Sequence, residues 1–274
     1  MKESLYIRFL YETALGRCFL KWLTQSGFSR LAARYLNSPA SGWLVPLYIR
    51  KHHIPAEDCE YQNYPSFNSF FTRKRNILPQ DIEQAAFRFV SPCDGFLSVY
   101  PIQTDITFRI KNICYSIEQL LQNQKLADEY QNGACLIFRL APQNYHRYCY
   151  IDHGLAVKQV SIPGILHCVR PTALNTYPVY IQNSREYTII NTKNFDTVIQ
   201  MEIGALIVGK IHNYNNHIYT ERGAEKGYFE FGGSTIIILL KRGIIQMDER
   251  IIENMKKGIE TTVKYGECIA LKQQ

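Results

Sequence analysis

The chain has 274 residues, 46% of them hydrophobic and 20% charged, with a net charge of +7. This length and balance suit one large domain, or one domain with an extension, and exclude an intrinsically disordered chain. The eight cysteines are scattered with no C-x-x-C pair, which leaves no zinc knuckle and argues for reduced thiols rather than a disulfide scaffold.

The charge is unevenly placed. Residues 1–53 hold eight basic side chains (Lys2, Arg8, Arg17, Lys21, Arg30, Arg34, Arg50, Lys51) against Glu3 and Glu12, which leaves +1 for everything after them. In the same segment Leu5, Tyr6, Phe9, Leu10, Ala14, Leu15, Leu20, Trp22 and Leu23 recur with a helical period. No run approaches the ~20 apolar residues of a membrane span. Arg8, Glu12 and Arg17 interrupt any signal-peptide core, so a cytoplasmic location is expected. Two readings stand: basic amphipathic helices lying on an anionic membrane surface, or a helical cap over a β core. No motif points to a nucleic acid, and none is expected as a partner.

Ser38-Pro-Ala-Ser-Gly-Trp43, with Pro46 and Pro55 beyond it, is expected to break the helical region and mark a linker. Tyr64-Pro-Ser-Phe-Asn-Ser-Phe-Phe-Thr-Arg-Lys74 reads as a short capped helix with an aromatic face of Phe67, Phe70 and Phe71. In Val90-Ser-Pro-Cys-Asp-Gly-Phe-Leu-Ser98, Asp94-Gly95 between apolar residues reads first as a hairpin turn. Ile117 to Tyr130 reads as one modest helix, capped by Ser116 with Gln119 three residues on.

Leu136 to Leu140 is an expected strand that Pro142 interrupts, and an aromatic strand resumes to a turn at Asp152-His153-Gly154. Glycines 204 and 209 in Ile203–Ile211 mark close strand packing, without the spacing of a nucleotide-binding loop. Lys226-Gly-Tyr-Phe-Glu-Phe-Gly-Gly-Ser-Thr-Ile-Ile-Ile-Leu-Leu240 reads as a strand, a tight bend and a buried strand. Ser234, beside Gly232 and Gly233, is a potential nucleophile at an open peptide bond; its bland reading is a Gly-Gly-Ser hairpin turn. Asp248 to Lys257 reads as a short helix or turn.

Lys226–Leu240 resembles the self-cleavage segment of the phosphatidylserine decarboxylases, pyruvoyl enzymes whose proenzyme breaks its own chain in a Gly-Ser-Thr sequence. Tyr64–Lys74 is similar to the family's Phe-Asn-x-Phe-Phe-x-Arg segment, and Val90–Ser98 to its Ser-Pro-x-Asp-Gly motif. Cys135–Gly154 is similar to its Leu-x-Pro-x-Asp-Tyr-His-Arg signature. Pro163–Pro171, Asn183–Tyr187 and Glu260–Glu267, the last resembling the family's terminal strand, extend the likeness over about residues 64–271.

The resemblance implies an α+β fold, a mainly antiparallel β core with flanking helices at 64–274; the basic amphipathic pattern of 1–63 adds an expected N-terminal helical, membrane-associating segment. It implies that Ser234 attacks the carbonyl of Gly233, and that glycine there leaves the carbonyl unshielded. Elimination would then release a β chain ending at 233 and an α chain, 234–274, headed by a pyruvoyl group. That group would form a Schiff base with phosphatidylserine, releasing CO2 and leaving phosphatidylethanolamine. No metal is required. The implied partners are the lipid, an anionic membrane on its cytoplasmic face, and the chain's own two fragments as a heterodimer or a dimer of these.

Asp94 matches the acidic member of the family's self-processing triad, which orients an imidazole. Two positions depart from the pattern: Asn144 stands where the family has Asp, and Cys149 where it has a second histidine, the usual triad base. His146 is the first candidate to replace it and also the candidate acid of the decarboxylation. His167, His153 and Cys149 follow as substitutes, Cys149 needing its pKa lowered from about 8.5. The alternatives are a pyruvoyl decarboxylase of a soluble amino acid, a non-cleaving β-barrel binding module, and a Ser-His-Asp hydrolase. The last lacks the G-x-S-x-G elbow.

Overall fold

A computed structural model describes residues 5–24, 26–55, 63–103, 108–110, 113–205, 210–214, 218–231 and 234–273. The first helical region forms α1 (Leu5–Glu12), α2 (Ala14–Leu23), α3 (Ser26–Leu36) and α4 (Leu44–His52). Thr13 ends α1 and caps α2, its Oγ1 accepting from Gly16 N at 3.0 Å. Gly16 permits the two helices to cross, since a Cβ there would lie 1.9 Å from Phe9 O. Ser38–Trp43 forms the expected break. Pro46 does not: it sits in the first turn of α4, where its missing N–H would have no intrahelical partner anyway.

Helix α5 (Phe67–Phe71) carries the expected cap, a reciprocal box between Ser66 and Ser69. Strands β1 (Arg88–Val90) and β2 (Gly95–Pro101) follow, but they do not pair with each other, so Asp94-Gly95 is not a hairpin turn. A small ladder of β3 (Phe108–Ile110) and β4 (Ile113–Tyr115) leads into α6 (Ile117–Leu121) and α7 (Gln124–Asp128). One helix was expected across 117–130. Gln122 breaks it in the left-handed region (φ 50°), and Asn123 opens a new cap.

The chain continues through β5 (Ala134–Leu140), β6 (Arg147–Cys149), β7 (Gly154–Ile162), α8 (Pro171–Leu174), α9 (Val179–Gln182), β8 (Arg185–Thr192) and β9 (Thr197–Gly204). Then come β10 (Ile211–Asn213), β11 (Tyr219–Thr220), β12 (Glu225–Phe229) and β13 (Ser234–Leu240). It ends with β14 (Ile245–Met247), α10 (Glu249–Lys256), β15 (Thr261–Val263) and β16 (Cys268–Lys272), so the last strand is β16 rather than the 260–267 segment.

An eight-stranded antiparallel sheet in the order β11-β7-β8-β9-β13-β5-β2-β15 organises the molecule, which confirms the α+β class. β13 is central and buried at every position, which is why its sequence is a continuous apolar run rather than an alternation. Ile237 and Leu239 face one core with Ile7, Leu10, Tyr11 and Leu20 of α1 and α2. Ile236, Ile238 and Leu240 face a second, covered by Phe89, Ile269 and Ala270 of the β1-β16-β14 sheet and by Tyr148 and Phe229 of the β10-β12-β6 sheet.

The loop after β6 is pinned by a buried ion pair. Arg222 Nη2 donates to Asp152 Oδ1 at 2.8 Å, and the same carboxylate takes Asn194 N at 2.8 Å and Asn194 Nδ2 at 2.9 Å. Asp152→Ala would leave a buried guanidinium without its partner, and a loss of about 3–5 kcal/mol is expected. Thermal denaturation of the variant checks this; an unchanged melting temperature would contradict it.

Candidate active site

The strand register brings the three sequence motifs to one end of the large sheet. Ser234 stands opposite Leu140 on β5 and Gly204 on β9. Leu140 leads directly into Ala141–His146. Phe96 stands opposite Arg139, so Asp94 and Gly95 enter β2 at the same end. Gly95 is needed there, because a Cβ would lie 3.0 Å from Arg139 O.

Ser234 begins β13 and is fully buried, its side chain on the face of Ile236 and Ile238; its Oγ has no hydrogen-bond partner among the described residues. β12 and β13 belong to different sheets and do not pair as a hairpin. Gly232 and Gly233 lie outside the described residues.

The chain just upstream is anchored. Phe231 packs edge-on against Phe67 and Phe71, with ring centroids 4.8 and 5.1 Å apart, and against Tyr48 at 5.9 Å. Its N–H donates to Asn68 Oδ1 at 3.3 Å, and Asn68 Nδ2 donates to Asn37 Oδ1 at 2.9 Å. The aromatic helix α5 therefore grips the residue three before Ser234, a use beyond the core packing that its sequence suggested.

His146 lies against that helix, its ring centroid 4.0 Å from that of Phe71. It precedes β6 rather than lying in it, so strand alternation does not set its direction relative to Cys149. Burial, aided by the nearby Arg73 charge, pushes its pKa down to about 3. The Asn144 main chain approaches the ring without closing a hydrogen bond, and neither ring nitrogen has a partner among the described residues. Burial thus keeps the imidazole neutral.

Asp94 gathers three segments. Its Oδ2 accepts from Arg75 Nη1 at 2.7 Å and lies 3.5 Å from Tyr145 N; its Oδ1 accepts from Tyr265 N at 3.0 Å. The carboxylate thus fixes the backbone adjoining His146 and does not bond the imidazole itself. Asn144, the first departure from the family pattern, caps its own turn by accepting from Ala141 N at 2.7 Å. That task needs only an acceptor oxygen, which Asn and Asp both supply.

The remaining substitutes fare unequally. Cys149 is buried, and burial pushes its thiol up to about 12, the reverse of what a thiolate base requires. Its Sγ lies 3.9 Å from Ser91 O, beside the Tyr265 hydroxyl that donates to Gly223 O at 3.0 Å. His153 is exposed at the opposite end of the sheet: it precedes Gly154, which pairs with Thr192, whereas Ile162 at the near end pairs with Arg185. Eight strand steps put it roughly 26 Å away, too far to serve Ser234.

His167 packs with the α1 core, on the sheet face that carries Ile237 rather than Ser234. Its ring stacks on Tyr177 at 4.7 Å, and its Nδ1 lies 3.4 Å from the Tyr11 hydroxyl. Burial lowers its pKa to about 4. Asn183 ties this corner together, accepting from His167 N at 2.8 Å and donating to Gly204 O, opposite Ser234, at 2.7 Å. Phe231, Asn68 and Tyr265 lie inside family-like motifs that do not single them out as site residues, and Arg75 lies outside any of them.

A buried serine thus heads a central strand, with a carboxylate and a buried histidine brought to the same sheet end. The phosphatidylserine decarboxylase family profile matches residues 67–271. The chain is 44% identical over 264 residues to the phosphatidylserine decarboxylase proenzyme 2 of Clostridium acetobutylicum, covering 96% of this chain and 90% of that one. It is 37% identical over 273 residues to the phosphatidylserine decarboxylase proenzyme of Clostridium novyi, with 97% and 92% covered. Against the proenzyme of Ruminiclostridium cellulolyticum it is 38% identical over 266 residues, with 95% and 89% covered. The chain belongs to the phosphatidylserine decarboxylase family and is a carboxy-lyase.

Proposed function

We propose that the chain is made as a precursor that cuts itself between Gly233 and Ser234 and then converts phosphatidylserine to phosphatidylethanolamine and CO2. The observation that carries this reading is the placement of Ser234: buried, unpartnered at Oγ, and first in a strand laddered on both sides. A new N-terminus formed there stays fixed in the core, because β5 and β9 hold the strand that follows it. The residues present fit a pyruvoyl group, since the serine that would yield it is buried with its Oγ unpartnered among the described residues. Such a group supplies an electron sink for loss of the headgroup carboxylate.

In the cleavage, Ser234 Oγ attacks the carbonyl carbon of residue 233, while Phe231 holds the upstream chain against α5. Asp94 positions the backbone beside His146, and His146 is assigned the delivery of the proton to the substrate carbon on its position, against the burial that disfavours its charged form in the precursor. The two fragments remain together as a heterodimer, since β13 is interleaved with β5 and β9. Conversion of phosphatidylserine in vesicles, measured beside free serine, tests the substrate class; CO2 from free serine alone would contradict the lipid reading.

The membrane is the proposed second partner, at the cytoplasmic face of the cell membrane. No helix among the described residues is long and apolar enough to cross one. Instead the N-terminal helices bury one face and expose a second apolar one. On α2, Leu15, Phe19 and Trp22 share a face and are 62%, 53% and 56% exposed. Leu5, Tyr6 and Phe9 of α1, Leu31 and Tyr35 of α3, and Leu47 of α4 are exposed as well. So large an apolar surface among basic residues suits an anionic bilayer. Replacing Leu15, Phe19 and Trp22 with serine is expected to weaken sedimentation with anionic vesicles about tenfold or more while self-cleavage proceeds. Unchanged sedimentation would contradict the assignment.

A further inference from the structure

Ser234 needs a proton acceptor, and the thiol at position 149 is held protonated by burial. The sheet face that Ser234 shares with Ile236 carries another candidate. Gly204 stands opposite Ser234 and Glu202 opposite Ile236, so Glu202 is the diagonal neighbour of Ser234 on the same face. Cβ atoms so related lie ~7–8 Å apart or somewhat less, within reach of a long side chain. Gly204 places no side chain between them.

Glu202 is fully buried. Its Oε2 accepts from Lys226 Nζ at 2.7 Å and from Asn213 Nδ2 at 3.1 Å, and Lys226 also donates to Asn213 Oδ1 at 2.7 Å. Its other oxygen, Oε1, is buried with no partner among the described residues, as is Ser234 Oγ. A purely structural ion pair would be expected to satisfy both oxygens, because an orphaned buried acceptor costs about 1–3 kcal/mol. Two buried oxygens without partners among the described residues, one a hydroxyl and one a carboxylate, thus occupy diagonal positions of one face.

We propose that Glu202, held by Lys226 and Asn213, is the proton acceptor for Ser234 in self-cleavage, in place of the histidine that Cys149 replaces. The assignment rests on the reading that the chain cuts itself at Ser234. Glu202 Oε1 takes the Oγ proton as Oγ bonds to the carbonyl carbon of residue 233. The bond from that carbon to the Ser234 nitrogen breaks, and the same proton passes to the nitrogen. An ester and a free amine result, and Glu202 is again a carboxylate. Lys226 keeps it ionised beforehand. Burial raises the Glu202 carboxyl and lowers the Lys226 ammonium, each opposed by the other's charge, so the carboxylate is more basic than an exposed one.

The test follows cleavage of freshly synthesised full-length chains by intact mass. The Glu202→Gln/Lys226→Met double variant removes both charges together and so avoids stranding either one. It is expected to keep the wild-type melting transition and to remain whole while the wild type is cut; a folded double variant cut at the wild-type rate overturns the proposal. Should the double variant not fold, Glu202→Asp decides. It keeps the ion pair but shortens the reach by one methylene, and cleavage is expected to slow about tenfold or more. Wild-type speed in that variant would likewise overturn it. A wild type that never cuts overturns the self-cleavage reading itself, a different outcome from a cutting wild type beside a cutting variant.

Discussion

A Ser234→Ala chain is expected to stay in one piece and to release no CO2 from phosphatidylserine, a fall of at least about 10⁶-fold toward the uncatalysed rate. The substitution removes the attacking oxygen and the only atom set from which the electron sink can be made, so no residual pathway survives. Its effect on the fold should be the opposite of a typical core change. Ser234 Oγ makes no hydrogen bond among the described residues, and deleting a buried unsatisfied hydroxyl is neutral or stabilising. The variant should therefore melt at or above the wild-type precursor temperature. Measurable lipid decarboxylation by this variant would place the chemistry elsewhere.

His146→Gln is expected to separate the two activities. The imidazole is neutral and pressed against Phe71, and self-cleavage is assigned to Ser234 with Glu202, so the variant should still yield two fragments. Decarboxylation should fall about 10²–10⁴-fold, the usual loss when a positioned proton-transfer group is removed. A chain that stays whole would contradict this division.

The same variant carries a stability signature. The folded pKa of His146 is about 3, below its ordinary value of 6.5, so between those values the unfolded chain binds a proton that the folded chain does not. Stability from this site is complete above pH 6.5 and is lost as pH falls toward 3. His167, at about 4, adds a smaller effect of the same sign. His146→Gln should thus be less sensitive than wild type to a shift from pH 7.5 to pH 5 in thermal melts.

The parts of this molecule governed by local rules were legible in the sequence. Ser66, Ser116 and Asp248 cap the helices expected after them, and the run 235–240 is the buried strand its composition implies. The misreadings share a cause: local signals do not say which strand pairs with which. Asp94-Gly95 and the Gly-Gly-Ser bend both resemble hairpin turns, yet each connects strands of different sheets, and only the long-range register reveals it. Gln122, an ordinary residue in a left-handed conformation, gave no sign that it would divide the 117–130 helix.

The site was half legible. Ser234 and Asp94 sit in motifs, and the strand register brings both to one sheet end. The ranking of bases was not readable, because it depends on burial and on sheet faces. His153 is a turn residue at the wrong end, His167 belongs to the wrong face, and Cys149 is buried as a thiol. Glu202 and Lys226 look unremarkable in the chain, 24 residues apart, and meet through strands of different sheets, Lys226 Nζ lying 2.7 Å from Glu202 Oε2.

The most direct test of the central claim is the intact mass of the freshly purified wild-type protein. The account predicts two fragments meeting at Gly233 and Ser234, the smaller with a blocked N-terminus and one ammonia lighter than a fragment beginning with serine. A single uncleaved chain, or a smaller fragment beginning with free serine, would contradict it.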